Sequence, residues 1–112
     1  MRLPTSIQKT IVKQLIHLNP FFVKLYGVKA IRHCEDGRTI RLYTKNKGIV
    51  INIDITYNEA SDLYDIKAVK LKQDDFTWEQ TIFNQEGFTW EELDETIHQI
   101  LHKHANIPLN YL

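Results

Sequence analysis

Residues 49–57 read IVINIDITY, and Ile49, Ile51, Ile53, Ile55 and Tyr57 fall on alternate positions. Side chains of a β-strand point to opposite faces in turn, so this spacing commits the segment to a strand with one covered face. A slip of one residue would turn every isoleucine to the wrong side, so the pairing on both flanks must respect the alternation. A chain containing this segment has to build a sheet and lay something apolar across one side of it.

The neighbouring segments supply partners. From Val28 the period is two, and Asp36-Gly37 reads as a type I′ hairpin turn, which needs positive φ at both central residues. Pairing Glu35 with Arg38 sets Ile31 opposite Leu42 and His33 opposite Ile40. Across KNKG, a two-residue loop at Asn46-Lys47 or a four-residue loop over 45–48 sets Leu42 opposite Ile51 and Ile40 opposite Ile53. A three-residue loop would face those apolar residues with Asn52 and Asp54 and is rejected. Through the NEAS turn the same logic aligns Ile55 with Tyr64, Ile53 with Ile66 and Ile51 with Ala68.

Helices are predicted at both ends. Ile7, Ile11, Leu15 and Leu18 lie at helical spacing over 5–18, with Thr5 or Ser6 as cap and Gln8, Lys9, Lys13 and Gln14 placed away from the stripe. Asn19-Pro20 opens a short helical turn, Phe21 to Tyr26, that ends at Gly27. Near the other end the tetrapeptide FTWE occurs twice, at 76–79 and 88–91. After the second copy, Thr89 and Glu92 form a capping box. Trp90, Leu93, Ile97, Ile100, Leu101 and His104 then make an apolar stripe, with Glu91, Glu95, His98 and His102 on the other side. No such stripe follows the first copy; WEQTIFN is rich in aromatic and β-branched residues and reads as a fifth strand after the turn-like Gln73-Asp74-Asp75. A hairpin back from 62–72 would set Ile82 beside Ile66 and Trp78 beside Lys70. Twelve residues are too few for a repeat unit, so one tetrapeptide serves two structures. The expected fold is α+β: an N-terminal helix, a four- or five-stranded antiparallel meander and a C-terminal helix, in a single domain over 1–112 with the helices on one sheet face.

These registers leave a second face uncovered. Its rows are expected to hold Ala30, Tyr43, Val50 and Val69, then Arg32, Arg41, Asn52 and Lys67, then Cys34, Thr39, Asp54 and Asp65. Arg32, Arg41, Tyr43, Asn52 and Lys67 are the candidate partner-binding residues, because cations beside an aromatic on an open sheet suit a protein interface or a stacking platform for single-stranded nucleic acid. Nucleic-acid-binding sheets usually display two or three aromatics, and this row offers Tyr43 alone. The competing reading is a solvated face laced with ion pairs to Asp54 and Asp65.

Other chemistries are weaker. Glu95-Thr96-Ile97-His98 has the Glu-x-x-His spacing of a bundle di-metal site, but no matching second copy exists, and no metal or other cofactor is expected. His33 and Cys34 are neighbours on a strand and so point apart, which separates a nucleophile from its base. All four glycines are assigned to turns or element ends, and none remains for a phosphate loop. A single cysteine excludes an internal disulfide, and no apolar run reaches the length of a membrane span. Residues 1–48 hold ten Lys/Arg against two acids, and 49–112 hold four Lys against twelve, while the net charge is zero. Packing the halves together offsets their fields, and the neutral balance disfavours non-specific nucleic-acid binding.

The sequence-based expectation is a cytoplasmic, non-enzymatic interaction module, an adaptor or inhibitor that binds a protein or itself through the open sheet face. Nucleic-acid binding through Arg32, Arg41 and Lys67 stands second and a small enzyme third; no membrane partner is expected.

Overall fold

The computed structural model describes residues 3–72 and 75–108, with side chains over 3–71 and 79–108. Helix α1 (Ser6–Leu18) and the single turn α2 (Phe22–Leu25) precede strands β1 (Val28–His33), β2 (Thr39–Asn46), β3 (Ile49–Asn58), β4 (Leu63–Lys72) and β5 (Asp75–Phe88). A 3₁₀ turn (Trp90–Glu92) then leads into α3 (Leu93–Ala105). The five strands form one antiparallel meander in sequence order, so the fifth strand and the α+β class are as the sequence predicts.

Local chemistry accounts for the elements. The Thr5 hydroxyl accepts from the Gln8 backbone N–H while the Gln8 side chain accepts from Thr5 N–H, a capping box that starts α1. The Asn19 side chain accepts from Phe21 N–H at 3.1 Å and so begins α2, and Gly27, at φ +68°, turns the chain into β1. Thr89 and Glu92 cap the last helix as their spacing requires.

One sheet face is buried. Ile40, Leu42, Ile51, Ile53, Ile55 and Ile66 have no exposed surface and share one cluster with Ile11 and Leu15 of α1 and with Leu93, Ile97 and Leu101 of α3. Alternate residues of the same strands, among them Arg41, Tyr43, Asn52, Asp54 and Val69, stay half-exposed. Among the described residues, the helices therefore cover one side of the sheet and leave the other open.

The registers differ from expectation in an instructive way. The β1–β2 pairing is as predicted, Ile31 with Leu42 and His33 with Ile40. In β2–β3, however, Leu42 pairs with Ile53 and Ile40 with Ile55, and in β3–β4 Ile55 pairs with Ile66 and Ile53 with Ala68. Both are shifted by two residues from the predicted alignment. A shift of two keeps every side chain on its face, so the burial argument could not tell the alternatives apart. Turn chemistry decides instead. Lys47 (φ +51°) and Gly48 (φ +83°) form the two-residue loop, the primed geometry predicted for Asp36-Gly37. At the first hairpin only Gly37 is left-handed (φ +73°), Cys34 N–H donates to Thr39 O, and Asp36 accepts from Arg38 N–H, Thr39 N–H and the Thr39 hydroxyl.

Strand β5 departs further, because bulges interrupt its pairing with β4. Ile66 pairs with Gln85 rather than Ile82, and Lys70 with Gln80 rather than Trp78. Of the turn predicted at Gln73-Asp74-Asp75, Asp75 is the first residue of β5, while Gln73, Asp74 and the Trp78 side chain lie outside the described residues. Two side chains assigned to solvent are core residues: Gln8 and His98 are both fully buried.

Candidate functional site

The open face is best read by following the hydrogen-bonded pairs across the sheet. One row runs Ala30, Tyr43, Asn52, Val69, Thr81; the next runs Arg32, Arg41, Asp54, Lys67, Asn84. The two-residue shifts have replaced Asn52 by Asp54 in the basic row and Val50 by Asn52 in the apolar one. Asp54 therefore stands between Arg41 and Lys67, where Asn52 was expected, and an ion pair laces the row as in the competing reading of this face. Asp54 binds Arg41 through two parallel hydrogen bonds, Nε to Oδ1 at 2.6 Å and a terminal nitrogen to Oδ2 at 3.0 Å. That fork-on-fork geometry fixes both side chains in place.

Tyr43 joins the cations from the adjoining row. It lies across from Ala30, next to the exposed Arg32, and its side chain holds the Arg32 guanidinium pKa up. The Arg41 guanidinium is raised above all by its bond to Asp54, against the effect of partial burial, with Tyr43 adding to it. Arg41, Asn52 and Lys67 line one shallow depression with Asp54, Val69 and Glu79, a cavity of about 90 Å³ whose two cations are matched by two carboxylates. Asn52 Oδ1 is buried there with no hydrogen-bond partner among the described residues. Beyond it, Val50 pairs with Leu71, which extends the half-buried apolar strip away from the ion pair. Thus Arg41, Asn52 and Lys67 share a depression, Tyr43 and Arg32 adjoin it on the β1 side, and Arg41 is already neutralised.

Burial, with Asp54 adding to it, pushes the Cys34 thiol up, which favours the unreactive protonated form. His98 sits in the core, its Nε2 at 2.6 Å from Pro108 O and its ring edge-on to Tyr26 at 5.8 Å. It therefore does not share the solvent face of Glu95, which is exposed. His102 Nδ1 lies 2.8 Å from Ile107 O, so both histidines tie the segment after α3 back to the helix.

A second cavity of about 260 Å³ was not anticipated. It lies between α1 and the β3–β4 hairpin end and is lined by Ser6, Ile7, Thr10, Gln14, Tyr57, Asp62 and Tyr64. The Tyr57 hydroxyl donates to Asp62 Oδ1 and the Tyr64 hydroxyl to Gln14 Oε1, each at 2.6 Å, with the two rings 5.5 Å apart. Its polar groups already satisfy one another, and no periodicity in the sequence links residue 14 to residue 64. No helix among the described residues is long and apolar enough to cross a membrane. No family model matches the chain, no curated protein is significantly similar to it, and no solved structure matches it.

Proposed function

We propose that this protein is a non-enzymatic interaction module, an adaptor or inhibitor, whose open sheet face is occupied by another protein surface, a second copy of the chain being the occupant its charge layout fits. The observation that carries the reading is the lopsided sheet. All its helical cover lies on one side, and the bare side holds Tyr43, Val50, Val69 and Leu71 beside a fixed Arg41–Asp54 pair. Half-buried apolar side chains with an aromatic and arginine at their edge have the composition of an interface centre. Charge across the face is graded, with Arg32, Arg41 and Lys45 on β1–β2, and Asp65 and Glu79 outnumbering Lys67 on β4–β5. A second copy turned about an axis along β3 lays each basic edge over the other's acidic edge. The two carboxylates among the cations weaken the case for nucleic acid, which needs several uncompensated phosphate contacts.

Sedimentation equilibrium over a concentration series tests this. Dimer formation is expected by about 100 μM, the weak end of specific association. Arg32→Glu combined with Tyr43→Ser should return the chain to monomer with an unchanged circular dichroism spectrum. A wild-type chain that stays monomeric, or a variant that dimerises as well as wild type, refutes the assignment; salt-dependent binding of an oligonucleotide by that monomer would favour the nucleic-acid reading.

A further inference from the structure

The first 34 residues contain six Lys/Arg and no Asp or Glu. Four large apolar side chains stand exposed among the described residues, and all fall in the same stretch: Leu3 at 81%, Phe21 at 73%, and Ile16 and Val23 at 47% each. Two unrelated surface properties thus coincide on one segment. Within α1, Lys9, Lys13 and Ile16 occupy positions i, i+4 and i+7 and so lie on a single helix face, away from buried Ile11 and Leu15. Leu3 precedes this helix, while Phe21, Val23 and Lys24 follow it, so apolar groups flank both ends of a rod about 20 Å long. The two ion pairs among the described residues, Arg38–Glu59 and Arg41–Asp54, involve none of Lys9, Lys13 and Lys24. Of the carboxylates on the 3₁₀ turn and α3, Asp94 is held by the Tyr26 hydroxyl and by Asn19, while Glu91, Glu92 and Glu95 are exposed.

We propose that the α1–α2 segment docks on an anionic phospholipid surface, with Phe21 and Val23 entering the headgroup region and Lys9, Lys13 and Lys24 facing the lipid phosphates. Leu3 and Phe21 keep most of their surface exposed, and Ile16 and Val23 about half of theirs. A protein partner would have to provide matching pockets for them, whereas a bilayer accepts protruding apolar groups as they are. Lysine is suited to this role, its flexible stem letting the ammonium reach a phosphate while the helix lies flat. This is surface attachment without a spanning helix, and it uses none of the open-sheet residues.

Flotation with phosphatidylcholine vesicles, with and without about one-third phosphatidylglycerol, provides the test. The protein should float with the anionic vesicles at low salt, stay behind with neutral ones, and dissociate at about 0.5 M NaCl, where screening is nearly complete. Lys9→Gln, Lys13→Gln and Lys24→Gln together should weaken binding about 100-fold, each charge being worth roughly fivefold. Phe21→Ser with Val23→Ser should weaken it roughly tenfold. Tyr43→Ser should leave flotation unchanged, which separates this result from failure of the sheet-face reading. Equal binding to neutral vesicles, or none to anionic vesicles at low salt, overturns the proposal; in the second case the segment is a surface for an acidic protein.

Discussion

Gln8 is a polar side chain sealed inside the protein, and replacing it measures how much of the fold depends on one amide. Its Nε2 donates to Cys34 O at 2.8 Å and to Thr39 O at 3.0 Å, and its Oε1 accepts from Thr5 N–H at 3.0 Å. One side chain thereby joins the start of α1 to the closing pair of the β1–β2 hairpin. Gln8→Met keeps much of the volume and removes all three bonds. Leaving a buried polar group without its partner costs about 1–3 kcal/mol. Here each carbonyl retains another donor, Gly37 N–H for Cys34 O and Cys34 N–H for Thr39 O, and Thr5 is only half-buried. The low end of the range applies to each bond, giving about 2–3 kcal/mol in all. For a chain of this size that corresponds to a fall of about 8–12 °C in Tm. Urea and thermal unfolding followed by circular dichroism give both quantities. Gln8→Glu provides a second, independent readout. Its carboxyl would face two carbonyl oxygens and be held protonated, so its folded pKa would lie above the unfolded value of about 4.3. A raised folded pKa means that the variant is most stable below that pH and loses stability as pH rises. A Gln8→Met variant within about 0.5 kcal/mol of wild type, or a Gln8→Glu variant with no added pH dependence, would refute the role assigned to this amide.

Two further measurements probe the turns. Gly27→Ala should cost about 3 kcal/mol, because φ is +68° and a Cβ would lie 2.5 Å from Asn46 Oδ1 and 2.7 Å from Lys45 O. Gly87→Ala, at φ +86° with nothing within 4 Å, should cost only the backbone term, about 1 kcal/mol, and urea midpoints of the pair will show whether the clash matters. Burial pushes the Asp36 carboxyl up, but the Thr39 hydroxyl and the Arg38 and Thr39 N–H groups outweigh it and leave the pKa below the usual carboxylate range. A lowered folded pKa stabilises above the unfolded pKa and is lost as pH falls through the folded one. The margin of wild type over Asp36→Asn should therefore close as pH drops below about 4 in urea titrations at stepped pH.

The two copies of FTWE separate what is local from what is not. Thr89 and Glu92 sit three residues apart ahead of an apolar stripe, so helix α3 is written in a span short enough to be read directly. Strand β5 is legible only as a strand, since its bulges make the pairing with β4 uneven and shift Ile66 from Ile82 to Gln85. Gln8 and His98 show the same limit on helices. Periodicity sorts apolar residues onto a buried face, but a polar residue at its margin is buried or exposed according to what meets it from another element. For Gln8 that is the carbonyls of Cys34 and Thr39, and for His98 it is Tyr26 and Pro108 O.

The α+β meander, the number of helices, the covered face and the open one followed from the sequence, because side-chain alternation and helical spacing are properties of a few consecutive residues. The content of each row on the open face did not. Alternation has a period of two, so it cannot distinguish a correct register from one slipped by two, and that slip decides whether Asn52 or Asp54 stands beside Arg41. Only the closed hairpins, with Lys47-Gly48 and Asp62 in left-handed geometry, set the alignment and placed Asp54 directly across from Arg41, in the position expected for Asn52.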